Sequence, residues 1–289
     1  MLASTDWLAR HLADPDVAVV DLRWRVDGSG RSLYGEGHIP GAVYLDWSID
    51  LVDPDGRFAF LLAPPEPFAD VMGRCGIGDR TTVIAYGDQF GSGPHRLWWA
   101  CRVYGHDTVA VLDGGFEKWV AEGRPLSVEP PTRPHATFTP RQGPEILAGP
   151  DDVEAARDVP GRTVIDSRPP PQFRGEAVWF ETGPVPADPD GIARTPRGEL
   201  RAGRVPWAIN VPATSLYRGD STMKSPQELR ELFAAAGVRP ETKAITYCGV
   251  GISASAALFA LTYAGIEAAL YDASWEEWGR DPGRPVARG

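Results

Sequence analysis

Residues 162–168 read RTVIDSR, and 145 positions earlier residues 17–23 read VAVVDLR. The same offset relates LASTDWLARHL (2–12) to LAGPDDVEAAR (147–157). Further along, GHIPGAVYLD (37–46) matches GRVPWAINVP (203–212), TVIAYGD (82–88) matches KAITYCG (243–249), and VLDGGFEKW (111–119) matches LYDASWEEW (270–278). Segments that recur in one order mark a duplicated domain, and such a repeat decides the fold before any single element does. Short β-branched runs (VAVVDL, TTVIAY, TVAVLD, TVID, AITY, AALYD) predict strands, and they alternate with longer helical stretches such as HRLWWACRVYG, SPQELRELFAAAG and SASAALFALTYAG. Ser225-Pro226 ahead of Glu228 is a helix start and Gly237 a helix stop. Alternating strand and helix predicts an α/β fold, a mainly parallel sheet flanked by helices, present twice. The boundaries expected are a first domain at 1–126, a proline-rich extended linker at 127–144 and a second domain at 145–289.

The copies differ in two places. Asp21 to Gly37 spans 16 residues, but Asp166 to Gly203 spans 37, so the second copy carries an insert around 176–200. Its Gly/Pro-rich composition predicts a surface loop. The second difference is that Cys248 stands where the first copy has Gly87.

Composition narrows the function. The net charge of −10 argues against nucleic-acid or anionic-membrane partners, which reward a basic surface. There is no run of about 18 apolar residues to cross a bilayer, and MLASTDWLARHL lacks a signal pattern. Three cysteines without CxxC spacing argue against a disulfide framework and for a reducing cytoplasm. Five scattered histidines predict no zinc site, and no metal or organic cofactor is implied.

The turn CGVGIS (248–253) is the place where chemistry is expected. In an α/β sheet ligands bind at the carboxyl ends of strands, where the chain turns into a helix. Gly249 and Gly251 let the backbone turn its N–H groups inward, and the following helix adds a positive end. Amides of Gly249, Val250, Gly251, Ile252 and Ser253 would then cradle a sulfur anion, thiolate or persulfide, on Cys248. Cys75, in GRCGIGD, and Cys101, in a Trp-rich helix, have no such setting. Asp21 and Asp166 read as partners of Arg23 and Arg168, and His38 reads as part of the repeat motif rather than a base.

With these motifs in order, the chain resembles the two-domain thiosulfate/3-mercaptopyruvate sulfurtransferases, the tandem rhodanese family. GHIPGA resembles the family's first-domain motif, CGVGIS its six-residue active loop, and YDASWEEW with GRPV its C-terminal signature. The resemblance implies a persulfide formed on Cys248 by a small anionic sulfur donor and passed to a thiol or cyanide acceptor. It also implies that copy one, without the cysteine, is structural and helps close the site. Ser274 matches a position whose hydroxyl supports the persulfide in the family, and Trp275 beside it is expected to wall the site. The chain departs from the family at the donor-recognition positions. Val250 replaces the loop serine of the mercaptopyruvate enzymes, Ser48 stands for their aspartate, and RFAFLLAPP has no histidine. Gln172 replaces the substrate-binding arginine, for which Arg174 and Arg204 are the candidate substitutes. The loop also lacks the arginine of thiosulfate-type enzymes, which favours 3-mercaptopyruvate or a related thiol as donor.

Two other readings compete. A cysteine phosphatase needs C-x5-R, and six residues after Cys248 stands Ala254. A tandem domain serving as an interaction module or persulfide carrier would need no donor site, and thiol reactivity separates those two.

Overall fold

The structure, a computed structural model, describes residues 1–88, 91–180, 183–239 and 241–289. The chain forms two compact units. The first comprises Met1–Asp55, Leu62–Glu145 and Tyr217–Met223; the second comprises Gly56–Leu61, Ile146–Leu216 and Lys224–Gly289.

The first unit is built on β1 (Leu2–Ala3), β2 (Val17–Asp21), β3 (Ala42–Tyr44), β4 (Thr82–Tyr86) and β5 (Val109–Leu112). They lie in the order β1-β5-β4-β2-β3, with every pairing parallel. In the second unit β6 (Leu147–Ala148) and β7 (Arg162–Asp166) come first. Four short strands follow, β8 (Ala177–Phe180), β9 (Gly183–Pro186), β10 (Ile192–Thr195) and β11 (Gly198–Arg201). Then come β12 (Ile209–Asn210), β13 (Lys243–Tyr247) and β14 (Ala268–Tyr271). The main sheet has the order β12-β7-β13-β14-β6, again all parallel. Read from the other edge, this is the order of the first unit, so the internal repeat in sequence is a repeat in topology.

The expected helices form at Gly93–Val103, Pro226–Ala235 and Ile252–Tyr263. Ser225 caps the second of these by accepting from Glu228 N–H, while the Glu228 side chain accepts from Ser225 N–H. Ile252–Tyr263 is buried along nearly its whole length, which its run of alanines permits by letting neighbours approach closely. Tryptophan supplies much of the core, with Trp99, Trp119, Trp275 and Trp278 fully buried.

Each Asp-x-Arg is a buried ion pair that fastens the strand end to its repeat motif. Arg23 Nη2 bonds Asp21 at 2.7 Å and the Gly37 carbonyl at 2.7 Å. Arg168 Nη2 bonds Asp166 at 2.6 Å and the Gly203 carbonyl at 2.7 Å. Tyr86 Oη donates to Asp21 and accepts from Ile39 N–H, and in the second unit Tyr247 Oη accepts from Val205 N–H. His38 is fully buried between the Tyr34 and Glu129 carbonyls, a structural position.

The insert is not the irregular loop its composition predicts. It forms two antiparallel ribbons, β8 with β9 and β10 with β11. Pro184 and Pro186 lie on β9, a strand of a two-stranded ribbon with a free edge, where a missing N–H does no harm. Residues 181 and 182 of the insert lie outside the described residues.

Candidate active site

Strand order locates the site. From β7 the chain passes to β12 on one side of the sheet, and from β13 to β14 on the other. The carboxyl ends of β7 and β13 therefore flank the point where the winding reverses, the place where open α/β sheets bind ligands. Cys248 is the first residue after β13. It is 2% exposed.

The loop from Cys248 to Gly251 is suspended from the helix Ser274–Arg280. Trp275 N–H donates to the Cys248 carbonyl and Glu276 N–H to the Gly249 carbonyl, both at 3.0 Å. With the carbonyls held outward, the amides of Gly249, Val250 and Gly251 are left without an acceptor among the described residues. Consecutive backbone N–H groups without acceptors are what an anion nest requires. The Cys248 N–H is used differently, donating to Ser274 Oγ at 3.1 Å, while the Ser274 hydroxyl donates to the Tyr271 carbonyl at 2.8 Å. A hydroxyl carries one proton. Ser274 thus orients the cysteine backbone and has no proton to spare for the sulfur while that bond stands. It does so from φ +54°, a left-handed conformation that costs a non-glycine residue about 1 kcal/mol or more.

The two loop glycines are there for different reasons. Gly251 has φ +80°, and a Cβ there would lie 2.4 Å from the Asp272 carbonyl oxygen. Gly249 has no positive φ, but a Cβ there would meet the Trp179 side chain at 3.0 Å. Trp179 belongs to β8, so the insert lays an indole on the loop at the residue following the cysteine.

Of the remaining candidates, Ser253 is the second residue of the helix and half-buried, and Val250 and Ile252 are buried. Trp275 is fully buried, its Nε1–H on the Arg201 carbonyl and its ring 4.5 Å beneath the Arg168 guanidinium, so its backbone rather than its ring meets the loop. Gln172 is 7% exposed, with its Oε1 buried and no hydrogen-bond partner among the described residues. Arg174 is about half exposed in an ion pair with Glu176 at 2.6 Å. Arg204 lies over the Phe173 ring and donates to the Gly289 carbonyl at 2.6 Å. Arg201 is committed to the carbonyls of Gly279, Trp278, Arg284 and Asp281. Among the described residues no group of three or more His, Cys, Asp or Glu side chains could hold a metal ion, and no helix is long and apolar enough to cross a membrane.

Burial separates the other thiols from chemistry. It pushes Cys75 up to about 11 and raises Cys101 further, so both stay protonated near neutrality.

One residue at the switch point was not singled out from the sequence. Ser167, the first residue after β7, is 1% exposed, and its Oγ has no hydrogen-bond partner among the described residues. The available signal was a difference between the repeats, Leu22 in one copy and Ser167 in the other.

A parallel sheet wound about its centre, used twice, with a thiol at one switch point only, defines a tandem α/β protein with a single cysteine centre. Residues 4–122 and 149–281 each match the rhodanese-like domain family. The chain belongs to that family, as a tandem rhodanese sulfurtransferase. It is 35% identical over its whole length to the sulfur carrier protein TtuD of Thermus thermophilus, covering 97% of that protein. It is 32% identical to the 3-mercaptopyruvate sulfurtransferase of Escherichia coli, over 97% of this chain and 95% of that one. The crystal structure of SseA from Escherichia coli superposes with a TM-score of 0.80 at 31% identity, covering 95% of this chain and 98% of that one.

Proposed function

We propose that the protein transfers sulfane sulfur through a persulfide on Cys248, in the half of the chain spanning 145–289, with residues 1–126 as its structural partner and 127–144 as the linker. The observation that carries this reading is the position of Cys248 at the switch point, held by Ser274, Trp275 and Glu276 beside amides that have no acceptor among the described residues. In the first step the Cys248 thiolate attacks the donor's outer sulfur. With thiosulfate the sulfur–sulfur bond breaks and its electron pair leaves on sulfite. With 3-mercaptopyruvate the carbon–sulfur pair passes to C3, and the thiol proton ends there, giving pyruvate. In the second step a thiolate or cyanide attacks the terminal sulfur and the pair of the breaking bond returns to Cys248. The backbone nest stabilises the anion present at each stage.

A side chain at 249 would crowd Trp179 from its Cβ onward, at 3.0 Å, which disfavours the arginine of thiosulfate-type loops and supports 3-mercaptopyruvate or a related organic thiol as donor. Three free thiols support a reducing compartment, the cytoplasm. The similarity to a protein named as a sulfur carrier supports a second reading, in which the acceptor is another protein's thiol.

Intact mass after incubation with each donor tests the proposal. One added sulfur, roughly 32 Da, lost on cyanide treatment and absent in Cys248→Ala, is the expected result. No adduct from either donor in the unaltered protein would overturn it. A persulfide stable to small thiols but discharged to a protein thiol would favour the carrier reading.

A further inference from the structure

We propose that the Ser167 hydroxyl, which makes no hydrogen bond to Cys248 or any other described residue in this structure, turns to donate one to the sulfur anion formed on Cys248 and is a catalytic residue of this site, an inference that rests on the sulfur-transfer reading. The register of the sheet brings the two together. Asp166 pairs with Tyr247, and Ser167 N–H donates to the Tyr247 carbonyl at 2.9 Å, so Ser167 and Cys248 leave the ladder side by side. Side chains alternate along a strand, and neighbours across a parallel pair face the same way. Asp166 and Tyr247 share the face that holds Arg168, whose guanidinium bonds Asp166 and lies over the Tyr247 ring. Carried one residue past each strand end, that alternation puts Ser167 and Cys248 on the opposite face. That face belongs to the helix Ile252–Tyr263, because Thr246, two residues before the cysteine, donates its hydroxyl to the Ala254 carbonyl.

The first unit shows the same geometry with different residues. There Leu22 occupies the position of Ser167, and a Cβ on Gly93, the first residue of the equivalent helix, would lie 3.2 Å from Leu22 Cβ. The residue after the second strand thus leans on the helix start, beside the position held by Cys248 in the second unit. A leucine suits a copy with glycine at 87; a hydroxyl suits the copy with the thiol.

The Ser167 hydroxyl is buried with no partner among the described residues, a state that costs free energy unless a ligand or a reacting group relieves it. A sulfur anion beside it would do so, by a charge-assisted bond. Ser274, with its proton on the Tyr271 carbonyl, leaves that donor role open.

Ser167→Ala tests the assignment without relying on turnover. The rate of iodoacetamide alkylation of Cys248 is followed from pH 5 to 10 by intact mass, with thermal unfolding alongside. The expected result is an alkylation midpoint about one pH unit higher, or about tenfold slower alkylation below it, with an unfolding temperature unchanged or raised. Ser167→Thr should restore the wild-type midpoint. Where the unaltered protein takes up sulfur, the persulfide of Ser167→Ala should also be lost several-fold faster. An alkylation profile that overlays wild type overturns the inference, as does a lowered unfolding temperature in both Ser167→Ala and Ser167→Gly, which would make the hydroxyl structural. Failure of the wild-type protein to take up sulfur would sink sulfur transfer alone, because alkylation reads the effect of Ser167 on the Cys248 thiolate independently.

Discussion

The switch-point loops of the two units share one frame and differ in what is mounted on it. In each, a carbonyl at the loop's first residue accepts from an amide of a later helix: Phe116 N–H to Gly87 at 2.9 Å, Trp275 N–H to Cys248 at 3.0 Å. In each, the residue before that amide is left-handed: Gly115 at φ +58° in the first unit, Ser274 at +54° in the second. In each, an Asp–Arg pair holds the motif glycine. The first unit fills the frame with Gly87, Leu22 and Gly115; the second has Cys248, Ser167 and Ser274 at those places. The contrast teaches that the frame is a property of the fold and that the chemistry is a small set of polar side chains laid on it. Ser274 is the most telling of these, because it accepts a backbone conformation its counterpart meets with glycine, and gains a hydroxyl bond to the cysteine.

Breaking the frame should have the largest effect. Gly251→Ala puts a methyl 2.4 Å from the Asp272 carbonyl at φ +80°, and a loss of about 3 kcal/mol in urea unfolding is expected, together with loss of sulfur uptake. Unchanged stability would mean that the loop is not held as described. A finer comparison replaces Ser274. Ser274→Ala keeps the strained φ and strands the Cys248 N–H, at about 1–2 kcal/mol. Ser274→Gly copies Gly115, and its midpoint should recover about 1 kcal/mol of that loss. Equal costs for the two would remove strain from the comparison.

The smallest effect lies in the first unit, at the third residue of its helix. His95 stands there where the second unit has Ala254, and burial lowers it from 6.5 to about 3. It stays neutral in the fold while the unfolded chain takes up a proton below 6.5, so its contribution is whole above pH 6.5 and is lost as pH falls toward 3. Unfolding free energy measured between pH 6.5 and 5.5 should fall less steeply in His95→Gln, by at most one proton's worth, about 1.4 kcal/mol per pH unit. Parallel slopes would show that His95 carries no such load.

Much of this was legible beforehand, for local reasons. The β-branched runs, the Ser225 cap and the repeat of Asp-x-Arg are carried by neighbours in sequence, and the strands and helices formed where expected. The insert was misread because prolines signal loops unless they fall on the free edge of a ribbon, and edges are a tertiary fact. Arg174 and Arg204 looked available because nothing in their spacing revealed Glu176 or the Gly289 carbonyl as their partners. Ser167 escaped notice because a lone serine after a strand has no motif; it gains meaning only when the strand order makes it a neighbour of Cys248.

The contact between Trp179 and Gly249 has a consequence for loop exchange. A Cβ acquired at 249 would lie 3.0 Å from the Trp179 Cβ and 3.5 Å from its ring, so Trp179 must give by a few tenths of an ångström before a side chain fits there. The strand Ala177–Phe180 therefore bears on which residues position 249 accepts, and a loop swapped in without it meets a neighbour it was not fitted to.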